Sequence, residues 1–186
     1  VGSDIRLIDE DGRELAAVPG VVGEVVGHSG GMMSGYHGQP DKTRDAEWFD
    51  ATGKRFIRTG DVGRFDEEGF LTLIDRRKDM IISGGFHIYP SDPEAELRKH
   101  GAVEDVAVVG APSAQWGEAV HAVVVRKSGQ DVSDAELIAH CKSLIAGYKC
   151  PRSVDFIDAL PISGAGKVLK TKLREPFWQG RERNVA

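Results

Sequence analysis

Apolar and polar residues alternate over residues 4–8, where Ile5 and Leu7 are joined by Ile8, and the run stops at Asp11-Gly12. A period of two closed by a turn pair predicts a strand. Residues 21–26 predict a second strand, interrupted by Gly23. The glycine-rich segment GHSGGMMSGYHG and the polar stretch up to Arg55 carry no period. Residues 64–74 predict a hairpin: GRF, the turn DEEG, then FLTLI.

The pattern changes after residue 78. Residues 92–100 predict a helix with Asp92 as its N-cap and Pro93 at the first helical position. Residues 105–110 (DVAVVG) and 119–125 (AVHAVVV) are β-branched and apolar throughout, as buried strands are. Ser133 and Glu136 form an S-x-x-E capping box before a helix running from 134 to about 147. Its expected apolar face is Leu137, Ile138, Cys141, Leu144 and Ile145. Residues 154–157 predict a last strand, and helical character returns after Val168. The fold class is therefore α+β. A β-rich piece, 1–77, precedes an α+β piece, 78–186, with a short sheet flanked by helices. The switch falls near IDRRKDMIISGG. The first piece opens abruptly in a strand and is expected to be part of something larger.

Composition narrows the function classes. Hydrophobic residues make up 40% and charged residues 28%, the balance of a soluble globular protein. A net charge of -5 gives no basic footprint for nucleic acid. No apolar run approaches the ~20 residues that span a bilayer, and VGSDIRLID does not read as a signal peptide. Cys141 and Cys150 form neither a disulfide framework nor a zinc motif, and the six histidines lack i, i+4 pairing. A reducing, cytoplasmic setting is expected, with no metal held by Cys or His.

Four short stretches could carry chemistry. GHSGG at 27–31 matches G-x-S-x-G, but a nucleophile elbow needs a helix directly after the serine, and GGMMSGYHG is a poor helix start. PISGAGKV lacks the first glycine and the Ser/Thr of a P-loop. IRTGDVGRF places Asp61 after a short strand, where its two acceptor oxygens could take two vicinal hydroxyls, as on ribose. DRRKDMIISGG gathers three cations before Gly84-Gly85, a place for phosphate or ribose binding beside a pivot. Lys167 follows Gly164-Ala165-Gly166, a cation on a glycine loop that could be offered to an anionic ligand.

In order, GYHGQP, RTGDVGRFDEEGFLTLIDRRKDMIISGGFHIYPSDPEAEL, DVAVVGAPSAQWGEAV and LPISGAGK resemble the C-terminal part of the adenylate-forming enzymes, specifically the AMP-forming acyl-CoA synthetases. The likeness implies two half-reactions. A fatty or aryl carboxylic acid and ATP, with magnesium, give an acyl-adenylate and pyrophosphate; coenzyme A then displaces AMP to give a thioester. It also implies that 1–77 is the C-terminal β-rich subdomain of the large adenylation domain, a remnant of its β-barrel, and that 78–186 is a small mobile lid. By the same likeness Asp61 would hold the ATP ribose and Arg76 would contact the nucleotide. Lys78 would be the hinge. Gly84 and Gly85 would line the pantetheine tunnel, with Trp116, Tyr148 and Lys149 as further coenzyme A contacts. Lys167 would be the lysine required for adenylation.

Pro161 and Gly166-Lys167 also form P-x-x-x-x-G-K, resembling the site at which such synthetases are acetylated, so a lysine acetyltransferase is an expected partner at Lys167. Cys150 and Phe86-His87 depart from the residues common at those places. The family's phosphate loop and acyl pocket are not in this sequence, so the chain alone is expected to be inactive. Competing readings are a peptide-synthetase-type adenylation domain, a non-catalytic nucleotide-binding or regulatory module of the same fold, and, more distantly, a serine hydrolase.

Overall fold

A single eleven-residue strand organises the first half of the chain. In the computed structural model, which describes residues 2–180, the chain divides into two compact units, Val1–Arg77 and Lys78–Ala186. The first contains β1 (Asp4–Ile8), β2 (Val22–His28), α1 (Pro40–Asp45), β3 (Glu47–Phe49), β4 (Arg55–Phe65) and β5 (Leu71–Arg76). The sheet order is β1-β2-β4-β3, with β5 also on β4, and every pairing is antiparallel. β4 therefore pairs β2, and serves β3 with its first residues and β5 with its last. Phe56 is fully buried on β4, packing with Ile8, Val26 and Trp48. At Gly23 a β-carbon would lie 2.8 Å from the Ile8 carbonyl, so only glycine lets β1 and β2 close here.

The β4–β5 hairpin turns on Asp66, whose carboxylate accepts the amides of Glu68 and Phe70, an Asx turn encoded by DEEG. GHSGG ends β2, and no helix follows before Pro40. The strand–serine–helix geometry of a hydrolase elbow is therefore absent from this described segment. α1 and β3 are not legible as periods: each is at most six residues long.

The second unit contains β6 (Ile81–Ser83), β7 (Phe86–Ile88), α2 (Ser91–Leu97), β8 (Val103–Ser113), β9 (Gly117–Arg126), α3 (Asp134–Lys142), β10 (Ser153–Phe156) and α4 (Lys170–Trp178). Its sheet runs β10-β9-β6-β7, with β8 also on β9; only β9–β10 is parallel. The unbroken apolar runs of β8 and β9 follow from burial on both faces. Val106, Val108, Val120 and Ala122 pack with Leu97 of α2 and Leu137 of α3. Ala107 and Val123 face the other way, onto Leu160 and Leu173 of α4.

Two helix boundaries differ from the sequence expectation. α2 starts at Ser91, with Pro90 at the N-cap position, so Pro93 lies within the first turn. Proline is tolerated there because first-turn amides have no intrahelical acceptor. Asp92 is not the cap: its carboxylate takes the Lys149 ammonium at 2.6 Å. α3 has the expected capping box of Ser133 and Glu136 but ends at Lys142. The Ser143 hydroxyl donates to the His140 carbonyl at 2.7 Å, a local bond that competes with the helix ladder. Leu144 consequently leaves the buried face and is 49% exposed.

α4 docks through an i, i+4, i+8 row of donors. Lys170 reaches Glu94 of α2 at 2.7 Å, Arg174 reaches Asp79 at 3.1 Å, and the Trp178 indole N–H reaches the Gly110 carbonyl at 2.9 Å. Leu173 and Phe177 supply its apolar contacts, the latter on the ring of His121.

Candidate functional site

In the first unit, the kink at Gly60 (φ +73°) leads into Asp61, which faces Arg76 directly across β4 and β5. The Arg76 guanidinium stands 3.7 Å from the Asp61 carboxylate, and both side chains are partly exposed. Thr59 fixes the bend: its hydroxyl donates to the Val25 carbonyl at 2.8 Å and accepts the Asp61 amide at 3.1 Å. Asp61 lies on an open groove of about 360 Å³ lined also by Ile5, Val25, His28, Ile57 and Leu73. The structure thus brings together the two residues expected to hold nucleotide, as an ion pair at the edge of an apolar surface.

In the second unit, Gly84 and Gly85 form the two-residue turn between β6 and β7, with φ +58° and +83°. Positive φ at both central positions is the requirement of a type I′ hairpin turn, so the glycines have a local reason to be there. Trp116 packs against this turn, and its carbonyl accepts the Gly84 amide at 2.8 Å. Phe86, just past the turn, stacks on Tyr148 at 4.7 Å and 28°. Gly84, Gly85, Trp116, Phe86 and Tyr148 accordingly form one connected exposed patch. Lys149 does not join it as an available cation. Its ammonium is held by Asp92, which raises its pKa above the usual lysine value. Cys150 is fully buried, and its thiol donates to the carbonyls of Ile145 and Ala146.

Lys167 sits on a closed turn rather than a loose loop. The Ser163 amide donates to the Lys167 carbonyl (2.8 Å), the Gly166 amide to the Ser163 carbonyl (2.9 Å), and the Lys167 amide to the Ser163 hydroxyl (3.1 Å). Ile162 and Val168 bridge at its base. Gly166 takes the left-handed conformation that this reversal needs. The Lys167 side chain is exposed, and among the described residues no carboxylate pairs with its ammonium. The turn leads directly into α4, whose Lys170 and Arg174 fix it to the body of the unit. Lys78 opens the unit within a short 3-10 turn, Arg77–Asp79, and its carbonyl accepts from Arg174 at 2.9 Å.

Residues 93–167 match the AMP-binding enzyme C-terminal domain. Over residues 93–167 the chain carries an AMP-binding enzyme C-terminal domain. This AMP-binding C-terminal domain includes Trp116, Tyr148 and Lys149 and ends on Lys167. The chain is 41% identical over 178 residues to a feruloyl-CoA synthase of Amycolatopsis sp, covering 94% of the chain and 34% of that protein. It is 39% identical over 173 residues to a long-chain-fatty-acid–CoA ligase of Salmonella typhimurium, covering 93% and 29%. It superimposes on the crystal structure of ATP-bound MatB from Rhodopseudomonas palustris with a TM-score of 0.86 and 36% identity, covering 95% of the chain and 34% of that chain. The chain thus spans about a third of the length of the relatives it matches.

Four further residues support the site without having been singled out in the sequence: Glu94, Lys170, Asp79 and Arg174. The signal was present in the spacing. Lys170, Arg174 and Trp178 fall on one stripe of a helix that starts three residues after Lys167. Glu94 was indistinguishable from a surface glutamate, because its burial depends on β8, fourteen residues away, donating the Val108 amide to it at 2.7 Å.

Proposed function

We propose that this chain provides the C-terminal region of an ATP-dependent acid–CoA ligase, in which acyl-adenylate and pyrophosphate form first and coenzyme A then displaces AMP. The observation carrying this reading is Lys167: an exposed ammonium without a carboxylate partner among the described residues, on a turn whose own backbone hydrogen bonds are closed, at the last position of the matched domain. Such a group is available to an anion that is not part of the chain. Carboxylate attack on the α-phosphate concentrates negative charge, and a positioned cation stabilises it most where water is excluded. A lysine suits this as a compact charge on a flexible stem.

The same proposal assigns the remaining roles. Asp61 offers two acceptors to the ribose hydroxyls while Arg76 opposite orients it and supplies positive charge for the nucleotide. Lys78 marks the hinge about which the domain 78–186, the lid, changes pose on the domain 1–77 between half-reactions. The Gly84-Gly85 turn lets the pantetheine arm approach its backbone at Gly85, where nothing lies within 4 Å of the missing side chain, with the Trp116 ring packed on Gly84 and Tyr148 flanking. Lys149, already paired with Asp92, stands beside the coenzyme A path without offering it a spare charge. The acid is of the aryl or fatty class, the classes named for the relatives at 41% and 39% identity.

Among the described residues no group of three or more His, Cys, Asp or Glu side chains gathers to hold a metal. No described helix is long and apolar enough to cross a membrane, and the buried free thiols suit a reducing cytoplasm. Acetylation of Lys167 by a lysine acetyltransferase would remove the charge while leaving the turn's hydrogen bonds intact, and so stop the first half-reaction.

The test is Lys167→Ala in the complete enzyme. ATP–pyrophosphate exchange should fall by about 10²–10³-fold, the loss on removing one charge-stabilising donor, while thioester formation from preformed acyl-adenylate is retained. Unchanged exchange would refute the proposal. The 186-residue chain alone should form no thioester.

A further inference from the structure

Arg77 and Lys78 are consecutive, and each is anchored within its own unit. The Arg77 guanidinium donates to Glu24 at 2.9 Å. Glu24 is buried and also takes Arg58 in a two-pronged pair at 3.1 and 2.5 Å. One peptide later, the Lys78 carbonyl accepts from Arg174 at 2.9 Å, and the Asp79 carboxylate pairs with the same guanidinium nitrogen at 3.1 Å. The Asp79 and Arg174 side chains are each only 11% exposed.

We propose that Glu24 and Arg174 are positioning residues that confine the pivot between the two units to the Arg77–Lys78 link. The inference rests on the reading that the second unit changes pose between half-reactions. Breaking either clamp leaves a charge in a poorly solvated place, which is strongly unfavourable. Rotation about ψ of Arg77 and φ of Lys78 breaks neither. The Arg77 side chain branches off before the first bond, and the Lys78 carbonyl comes after the second. Rotation about ψ of Lys78 also spares it, because the carbonyl turns together with the second unit, whereas rotation about φ of Asp79 would part that carbonyl from Arg174. Three torsions are thus released while φ of Arg77 and φ of Asp79 are held. Arg174 shares α4 with Lys170, which secures the base of the Lys167 turn on Glu94. A displacement at the pivot is therefore passed to Lys167 through one helix.

The test uses the complete enzyme and three variants. Arg174→Met should slow both half-reactions, since each pose is then held less accurately, by roughly 10- to 100-fold. The KM for ATP should change little, because Arg174 touches no substrate. Arg174→Lys should recover part of the rate. Hydrogen exchange should become faster at the amides of residues 78–83 in Arg174→Met, and at residues 75–77 in Glu24→Gln, with β8 and β9 unaltered. If Arg174→Met does not fold, Arg174→Lys and Glu24→Gln carry the same readouts. Normal rates and normal exchange in these variants, alongside a Lys167→Ala enzyme that has lost adenylation, would overturn the pivot alone. A Lys167→Ala enzyme that still adenylates removes the proposed function, and the exchange pattern then decides the pivot by itself.

Discussion

The ring of Trp116 lies against the α-carbon of Gly84: a β-carbon there would be 2.8 Å from Cε3 of the indole. The contact is reinforced by the Gly84 amide, which donates to the Trp116 carbonyl. Gly84→Ala therefore meets two penalties, a left-handed backbone and a ring held by its own main chain. The substitution should cost about 1–3 kcal/mol in urea denaturation. Gly85 has positive φ but nothing within 4 Å of its missing side chain, so Gly85→Ala should cost about 1 kcal/mol. Equal losses for the two would show that Trp116 yields freely.

Lys170 and Glu94 form a buried pair, and its removal should be asymmetric. Burial raises the Glu94 pKa above the usual carboxylate value, with the Lys170 charge opposing that rise. Lys170→Met strands the carboxylate and should cost about 3–5 kcal/mol at pH 7. A carboxyl whose pKa is raised by folding contributes stability that is present below its ordinary value of 4.5 and lost as pH rises through the folded value. The Lys170→Met deficit should therefore shrink on acidification. Adding Glu94→Gln should recover most of it at pH 7, measured by chemical denaturation at both pH values.

His121 gives a pH dependence of the opposite sign. It is 2% exposed, with Nδ1 on the Ser153 hydroxyl at 2.8 Å and its ring against Phe177. Burial lowers its pKa from the ordinary 6.5, and Asp155, 3.4 Å from Nε2, only partly counters this. A histidine depressed by folding contributes stability that is present above 6.5 and lost as pH falls through the folded value. Thermal stability should decline between pH 6.5 and 5, with a slope of up to about 1.4 kcal/mol per pH unit from this residue. His121→Gln should flatten that decline; an unaltered slope would assign it elsewhere.

Cys141 and Cys150 share the core under α3. Burial, and then the neighbouring Cys150 thiol, push Cys141 up to about 12. Such a thiol is about one part in ten thousand thiolate at pH 8, and the thiolate is the reactive form. The native protein should not colour Ellman's reagent within minutes, and two thiols should react once urea is added. Rapid native labelling would show that α3 opens locally.

Much of this architecture could be read from residue order because the signals were local. The Ser133–Glu136 box, the DEEG turn and the doubly buried runs of β8 and β9 each need only neighbours in sequence. What escaped was set by distant partners. β6 and β7 are three residues each and acquire their meaning from the Gly84-Gly85 reversal and from β9. Asp92 reads as a cap until Lys149, 57 residues later, takes its carboxylate. At the candidate site, Asp61 and Lys167 stood out because their motifs are compact. Arg174 did not, because its partners are Lys78 and Asp79.

That last contact spans 96 residues. During translation, the opening residues of the second unit emerge long before the helix that secures them. Long-range closures of this kind are slow to form, and partly folded intermediates expose apolar surface meanwhile. The nascent chain therefore holds Lys78 and Asp79 without the Arg174 anchor until α4 clears the ribosome, while Arg77 can already be secured on Glu24.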